Sequence, residues 1–293
     1  MEKDKKLEVR RLIIYLALSF GLTWIIFFAA FFSGFKWDGS NPYMEQFIGL
    51  GMLMPFASHI LTRMITREGF AMTGKDSMML GISFKDKKWK YFIFAMFVPW
   101  VYFEVTNIIA LVLVPEAFDT GILGEMGLSN EIAFVYPLII ISSCTIASFA
   151  ALGEEGGWRG YMMPKLMKLM SVPKAVIVGG IIWGVWHAPL TCIGHNFGTD
   201  YPGFPYVGIL VMCIFCTLMG MLLTYITIKS SSIWPAAIMH AVNNGNPTIL
   251  RFFLNEEIFA DKYPNRLFFY ILLLSVVAVI DLIIIVREKK KTK

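Results

Sequence analysis

Long apolar runs recur along the whole chain, and they limit its fold more than any other feature. About eight of them are long enough, or nearly so, to cross roughly 30 Å of hydrocarbon as a helix. They occupy residues 12–33, 44–65, 91–114, 132–153, 175–194, 206–228, 232–250 and 267–286. With 57% hydrophobic and 16% charged residues, the chain is too apolar for a soluble globule. We therefore predict an all-α, polytopic integral membrane protein with about eight transmembrane helices, in a single membrane domain over residues 1–293.

The polar composition excludes several other functions. The net charge of +5 does not indicate a nucleic-acid ligand, because the basic residues flank apolar segments, where they attract lipid headgroups. We expect contact with membrane lipid and no nucleic acid. The four cysteines lie within or beside the apolar segments without a pair of CxxC motifs, so we expect buried thiols. The first apolar run is longer than a signal-peptide core, and we keep it as a spanning helix.

Lys and Arg are concentrated in one set of connecting segments, which predicts the orientation of the chain. Most of the 26 basic residues lie in the two termini, in segments 63–90 and 159–174, and at Lys229. The loops at 116–131 and 196–205 contain no Lys or Arg. Because basic loops remain in the cytoplasm, we predict a multi-pass protein of the cell membrane with both termini cytoplasmic.

Two adjacent carboxylates follow the fourth apolar run directly, at Glu154 and Glu155. On a helix, Glu155 and Arg159 stand four residues apart with the acid on the N-terminal side, which favours an ion pair. Glu154 points about 100° away from Glu155 and is left to face a cavity. The alternative is a helix end at the membrane surface whose charges are solvated.

Other ionisable and amide side chains lie inside the predicted spans, where they are costly and therefore indicate function. They are His187 in the fifth span, and His240 with Asn244 one turn later in the seventh. We expect these residues and Glu154 to meet in a polar cavity in the cytoplasmic half of the bilayer. For His59, in the second span, a hydrogen bond that packs two helices is the better interpretation, and Asp281 in the last span is expected to extend to the membrane surface.

These side chains suffice for peptide hydrolysis. A carboxylate beside a neutral imidazole can hold and deprotonate a water molecule. A second imidazole, with an amide one turn away, can donate hydrogen bonds to the oxyanion that forms when water attacks a peptide carbonyl. Two His and one Glu could instead bind Zn²⁺ with one open position, although the sequence has no HExxH motif.

Three motifs, in this order and spacing, resemble the CPBP family of CAAX proteases and bacteriocin-processing enzymes, also called the ABI family. The motifs are Glu154-Glu155-xxx-Arg159, Trp183-xxx-His187 and His240-xxx-Asn244. The resemblance extends from about residue 150 to residue 245, and the family includes type II CAAX prenyl endopeptidases. It implies eight transmembrane helices, in agreement with the hydropathy pattern, and an intramembrane endopeptidase activity.

The resemblance also implies a role for each motif residue. Glu154 and His187 would activate the water, and His240 and Asn244 would support the oxyanion. The residues that would support the site structurally are Glu155, Arg159 and Trp183, where Trp183 replaces the Phe often found in the family. Members are described both as metalloproteases and as glutamate-type proteases, so Zn²⁺ stays possible, with Glu154, His187 and His240 as its ligands.

The substrate is expected to be a peptide or a membrane protein that reaches the cavity from the cytoplasmic side, and the sequence leaves open whether it is prenylated. Two other functions also stay open at this point. A small-solute transporter could use broken helices near Gly156 and Pro235 to line a path. A non-catalytic member of the family could act in bacteriocin immunity or as a scaffold.

Overall fold

The fold is helical throughout the part of the chain that the computed structural model describes, which is residues 2–34, 43–263 and 266–291. Thirteen α-helices are defined there. In chain order, α1 to α13 span Glu2–Phe32, Met44–Thr66, Trp89–Leu113, Ile122–Glu125, Asn130–Ile146, Phe149–Gly157, Met163–Leu169, Val172–Trp186, Ala188–Thr191, Tyr206–Ser230, Trp234–Gly245, Glu256–Lys262 and Arg266–Lys291. The prediction of an all-α, polytopic membrane protein is confirmed.

The predicted number of eight spanning helices is not confirmed. Among the described residues, five helices are long and apolar enough to cross a membrane, and a bent pair raises this to as many as six. The five are α1, α2, α3, α10 and α13. Helices α8 and α11, with 15 and 12 residues, extend only about 22 and 18 Å. Both are shorter than the hydrocarbon core.

The two short helices end inside the protein because of local sequence. Pro189 follows the end of α8, and proline removes a backbone donor and clashes with the preceding turn. Helix α11 ends at Gly245, and the next residue, Asn246, has a left-handed φ of 48° and is followed by Pro247. Non-helical backbone at membrane depth is tolerated only where it is buried or lines a cavity. These two ends therefore indicate where a cavity should lie.

The fourth predicted span is bent and longer than hydropathy indicates. Residues 131–146 and 149–169 form two helical parts, and the second is bent by 60° from the direction of the first. The second part contains α6, a π-helical turn at Trp158–Met162, and α7. The sequence predicted that Glu154 lies at the end of its helix. It lies instead about 22 Å along the axis from the helix end at Leu169. Hydropathy missed this continuation because its charged residues are paired with others.

Helices α2 and α6 pack closely, and this contact fixes the position of the two carboxylates. A Cβ atom on Gly156 would lie 2.6 Å from the Phe56 ring, and one on Gly153 would lie 2.6 Å from the Met52 carbonyl oxygen. Small residues of this kind allow two backbones to approach within a membrane. A larger side chain at Gly153 would push α6 away from α2 and displace Glu154.

One prediction about the last helix is wrong. Asp281 does not extend to the membrane surface, because only 3% of it is exposed. Neither carboxylate oxygen has a hydrogen-bond partner among the described residues. The side chain is instead packed inside the helical bundle, on the part of α13 that faces the core.

Contacts between loops and helix ends define two opposite faces of the bundle. The first, here called the basic face, joins the N-terminal part of α1, loop 67–88, the end of α7, the turn between α10 and α11, and the end of α13. Its contacts include those of Lys165 with Glu8 and Glu68, and of Lys88 with Ser231. The second, here called the loop face, joins loop 114–121 to 250–262, for example through Asp119 and Phe253.

Candidate active site

Glu154 is held by two indole groups. Its Oε2 atom accepts a hydrogen bond from Trp183 Nε1 at 2.7 Å and another from Trp158 Nε1 at 3.3 Å. The residue is 2% exposed and lines a cavity. The carboxylate is therefore oriented by fixed neutral donors, whereas the sequence predicted a side chain without such partners.

Glu155 lies behind Glu154 and is fully buried. Its Oε1 atom accepts from Arg159 at 3.1 Å, so the structure contains the ion pair that the i,i+4 spacing predicts. The same oxygen also contacts His240 Nδ1 at 2.8 Å. Glu155 thus connects α6 to α11, a link that the sequence did not indicate.

The hydrogen bond of His187 determines which ring nitrogen can act as a base. Nδ1 lies 2.9 Å from the Trp183 carbonyl oxygen, which can only accept. Nδ1 therefore carries the proton, and in the neutral ring Nε2 has the lone pair. Cys216, from α10, places its sulfur 4.0 Å from the same Nδ1 atom. His187 lies at the end of α8, where Pro189 interrupts the helix.

The contact with Glu155 determines what His240 can donate. Because Glu155 accepts from Nδ1, a neutral ring would have a lone pair on Nε2 and could not donate through that atom. With a proton on both nitrogens, His240 can donate from Nε2 and pair with Glu155.

Trp183 lies at the centre of the predicted set. Besides donating to Glu154, its ring lies 4.3 Å from the Arg159 guanidinium carbon. Its ring centroid is 5.9 Å from that of His187 and 5.5 Å from that of His240. A tryptophan at this position supplies an indole N–H that phenylalanine lacks, so it holds the carboxylate as well as packing against the two imidazoles.

Asn244 is oriented by two residues that sequence reasoning missed. Tyr102 donates to Asn243 Oδ1 at 2.6 Å, and Asn243 Nδ2 donates to Asn244 Oδ1 at 3.1 Å. This leaves the Asn244 amide N–H groups to serve as donors on the cavity wall. Asn243 could have been noticed as a second amide in an apolar helix. Tyr102 had no signal, since it is 141 residues from Asn243.

His59 packs α2 against α6, as its sequence context predicts. Its Nδ1 lies 2.7 Å from the Gly156 carbonyl oxygen, one residue after Glu155. Arg63 donates to Nε2 of the same ring at 2.6 Å, and to the carbonyl groups of Gly69, Asp76 and Ser77. The buried chain of contacts therefore connects the loop after α2 to the carboxylate-bearing helix.

A cavity of about 920 Å³ contains the predicted catalytic residues. Glu154, His187, His240 and Asn244 all line it, together with Trp183. Glu155 and Arg159 are buried behind its wall. The volume lies within the range of 300–1,000 Å³ that is usual for ligand sites. It is large enough for several residues of an extended peptide.

The cavity extends toward the loop face. Its lining on that side includes His195, Asn196, Asn246, Arg251 and Glu256. No described residue of the basic-face loops lines it. Access of a substrate from the side of the basic loops stays a prediction.

A network of charges closes the basic face below the site. Glu68 contacts Lys165 and accepts from Tyr161, and Arg11 lies 3.5 Å from it. Burial alone would raise the pKa of Glu68, but hydrogen bonds from Lys165, Tyr161 and Thr66 outweigh it and the pKa lies below the ordinary 4.5. The carboxylate is thus ionised and paired at neutral pH.

The residues considered for zinc do not fit a metal site. No group of three or more His, Cys, Asp and Glu side chains in the described ranges is placed to hold a metal ion. Of the proposed ligands, Glu154 accepts from two indoles through one oxygen. We therefore derive no step through a metal.

Comparison with known proteins agrees with the resemblance found in the sequence. A family model described as type II CAAX prenyl endopeptidase, Rce1-like, matches residues 136–245, which contain all three motifs. The chain is also 26% identical over 240 residues to CAAX prenyl protease 2 of Methanococcus maripaludis, covering 81% of this chain and 84% of the relative. The two matches confirm the resemblance: this multi-pass membrane protein is similar to CAAX prenyl proteases.

Proposed function

We propose that the chain is an intramembrane endopeptidase that hydrolyses a peptide bond with a water molecule activated by Glu154 and His187. The observation that carries this proposal is the convergence of Glu154, His187, His240 and Asn244 on one cavity around Trp183. These side chains come from α6, α8 and α11, and the geometry that brings them together supplies a base and oxyanion donors within one cavity.

In this mechanism His187 transfers the proton and Glu154 orients the water. Nε2 of His187 has the lone pair and accepts the first proton from the water, while the Glu154 carboxylate orients that water by a hydrogen bond. The water oxygen then bonds to the carbonyl carbon. When the C–N bond breaks, the protonated imidazole returns its proton to the departing amine.

His240 and Asn244 stabilise the charge that develops between these steps. Attack moves the carbonyl π electrons onto oxygen, and donors aimed at that oxygen lower the barrier. Asn244 donates through its amide, and doubly protonated His240 donates through Nε2. Glu155 accepts from His240 and so maintains this state, with Arg159 as its second partner. Removal of one such donor typically lowers the rate by about 10²–10³-fold.

The orientation of the termini belongs to the same proposal. The described basic segments of the N-terminus, of 63–90 and 159–174, and of the C-terminus lie together on the basic face. Loops rich in Lys and Arg stay in the cytoplasm. Both termini are therefore cytoplasmic, and the loop face is outside.

The test is cleavage by purified protein in proteoliposomes. Two fluorogenic peptides serve as probes, one ending in a prenylated CAAX sequence, as the name of the archaeal relative suggests, and one identical but unprenylated. Wild-type protein is expected to cleave at least one of them, with the rate reduced at least about 10²-fold by Glu154→Gln or His187→Ala.

Glu116→Gln is the matched control, because Glu116 is an exposed carboxylate that pairs with Lys262 on the loop face. It should cleave at the wild-type rate. Cleavage by Glu154→Gln at that same rate, or no cleavage of either peptide by folded wild-type protein, contradicts the proposed function.

A further inference from the structure

A second, much smaller cavity lies between α8, α10 and the π-helical turn at Trp158–Met162. Its volume is about 10 Å³, and the residues that line it include Arg159, Gly220 and Thr224. One water molecule needs a space of about 10–15 Å³. The small cavity therefore has the size of one water molecule and is too small for a substrate.

Two buried polar atoms on the wall of the small cavity have no hydrogen-bond partner among the described residues. They are Nε of Arg159 and Oγ1 of Thr224. Both residues are 3% exposed. Leaving a buried donor or acceptor unpaired is destabilising, and where no protein group reaches such an atom its usual partner is an ordered water. The guanidinium N–H only donates, whereas a hydroxyl donates and accepts, so one water molecule can bond to both.

The packing of α10 against Arg159 places the guanidinium at this cavity. A Cβ atom on Gly220 would lie 3.2 Å from Arg159 Nη2, so the glycine allows the guanidinium to approach α10 closely. Thr224 lies one turn after Gly220, on the same face of the helix. Because Nη1 of Arg159 already donates to Glu155, Nε is the nitrogen that still needs a partner.

Arg159 connects the small cavity to the candidate active site. Its Nη1 donates to Glu155 Oε1 at 3.1 Å, and the same oxygen lies 2.8 Å from His240 Nδ1. The guanidinium is planar and rigid, so a partner at Nε also fixes the direction of the Nη1 hydrogen bond. A group that binds Nε therefore holds Glu155, and through Glu155 the ring of His240.

We propose that the small cavity binds one structural water molecule, which accepts a hydrogen bond from Arg159 Nε and bonds to Thr224 Oγ1. Thr224 is then a positioning residue for His240, although it contacts neither substrate nor His240 itself. The positioning role rests on the proposed function, in which His240 is an oxyanion donor. The water site does not depend on that function.

A crystal structure of the full chain, at a resolution that shows ordered water, tests the site directly. A peak is expected in the small cavity at about 2.5–3.2 Å from both Arg159 Nε and Thr224 Oγ1. Thr224→Val keeps the shape of the side chain without its hydroxyl and should lack the peak, whereas Thr224→Ser should keep it. A cavity without a peak in the wild type overturns the proposal, and so does a peak that is unchanged in Thr224→Val.

Cleavage of the two peptide probes in proteoliposomes tests the positioning role. Thr224→Val should lower kcat about tenfold with KM unchanged, because an oxyanion donor is displaced while substrate binding is kept. Thr224→Ser should cleave at nearly the wild-type rate. The matched control is Thr227→Val, since Thr227 is buried on the same helix and its hydroxyl donates to the Leu223 carbonyl group.

The control should leave kcat unchanged. A wild-type kcat in Thr224→Val, or an equal loss in Thr227→Val, contradicts the positioning role of Thr224. If folded wild-type protein cleaves neither peptide, the proposed function fails, and the electron density in the small cavity still decides whether the water site exists.

Discussion

The ion pair between Glu155 and Arg159 provides the most direct test of how the site is stabilised. Glu155 is fully buried and Arg159 is 3% exposed. Replacing one partner of such a pair leaves the other charge buried without compensation, which typically costs about 3–5 kcal/mol. We expect Glu155→Gln and Arg159→Met each to lower the free energy of unfolding by about 3 kcal/mol, at the lower end of that range, because His240 and Trp183 remain as partners.

The double variant makes the prediction specific to charge. Glu155→Gln keeps an acceptor for His240 Nδ1, and the added Arg159→Met removes the cation that Glu155 had balanced. Replacing a buried ion pair by uncharged groups of similar volume is often nearly neutral. The double variant should therefore recover at least about 2 kcal/mol relative to the sum of the two single losses.

Unfolding is measured by titrating SDS into mild-detergent micelles and following tryptophan fluorescence, since Trp158 and Trp183 both contact Glu154. The exposed pair of Glu116 and Lys262 is the control, and its removal should cause no measurable change. If each single variant is as stable as wild type, or if the two losses simply add in the double variant, the charge argument is wrong.

Three shorter predictions follow from other contacts. Tyr102→Phe removes the hydroxyl that donates to Asn243 and so orients Asn244. It should lower kcat about tenfold, or ~1.4 kcal/mol, with KM unchanged. As a control, Tyr206→Phe, at an exposed position, should leave kcat unchanged. Because the folded-state pKa of Glu68 is depressed, its stabilisation is present above pH 4.5 and is lost as the pH falls below that value. Unfolding midpoints should therefore drop there in wild type and less in Glu68→Gln, and equal drops would contradict this. Dialysis against EDTA should not change the cleavage rate, whatever zinc content elemental analysis gives before and after it. Stoichiometric zinc whose removal abolishes cleavage would overturn the metal-free mechanism.

The sequence predicted which polar residues share one cavity better than it predicted the helices. The motif residues are close to one another in sequence within each helix, and their spacing of four places them on one helix face. Charge inside an apolar segment is conspicuous in any single sequence. For these reasons Glu154, His187, His240 and Asn244 could be identified without a structure, and the cavity that all four line was expected.

The partners of these residues could not be predicted in the same way. Tyr102 orients Asn243 across 141 residues, and His59 contacts Gly156 across 97. Nothing in a local pattern specifies such contacts, since each depends on how two helices pack. Trp158 is also a donor to Glu154, although it reads in the sequence as one more aromatic residue of an apolar segment.

The errors in the predicted spans have a common physical cause. Hydropathy treats each charge as a cost and each apolar run as a continuous helix. The charge of Lys165 is buried and paired with Glu68. The helical segment therefore continues past residue 153, where hydropathy ends the predicted span. The short helices α8 and α11 end inside the bundle, where hydropathy extends them.

The features that hydropathy misses are those on which hydrolysis depends. A water molecule and a peptide bond need polar groups at membrane depth, and a continuous helix offers none of its backbone to them. Where α8 and α11 end, the side chains of His187 and Asn244 line one cavity, and irregular backbone is tolerated there because it lines that cavity. An apolar span extended to full length at either position would remove the site, so the broken helices are a requirement of the proposed chemistry.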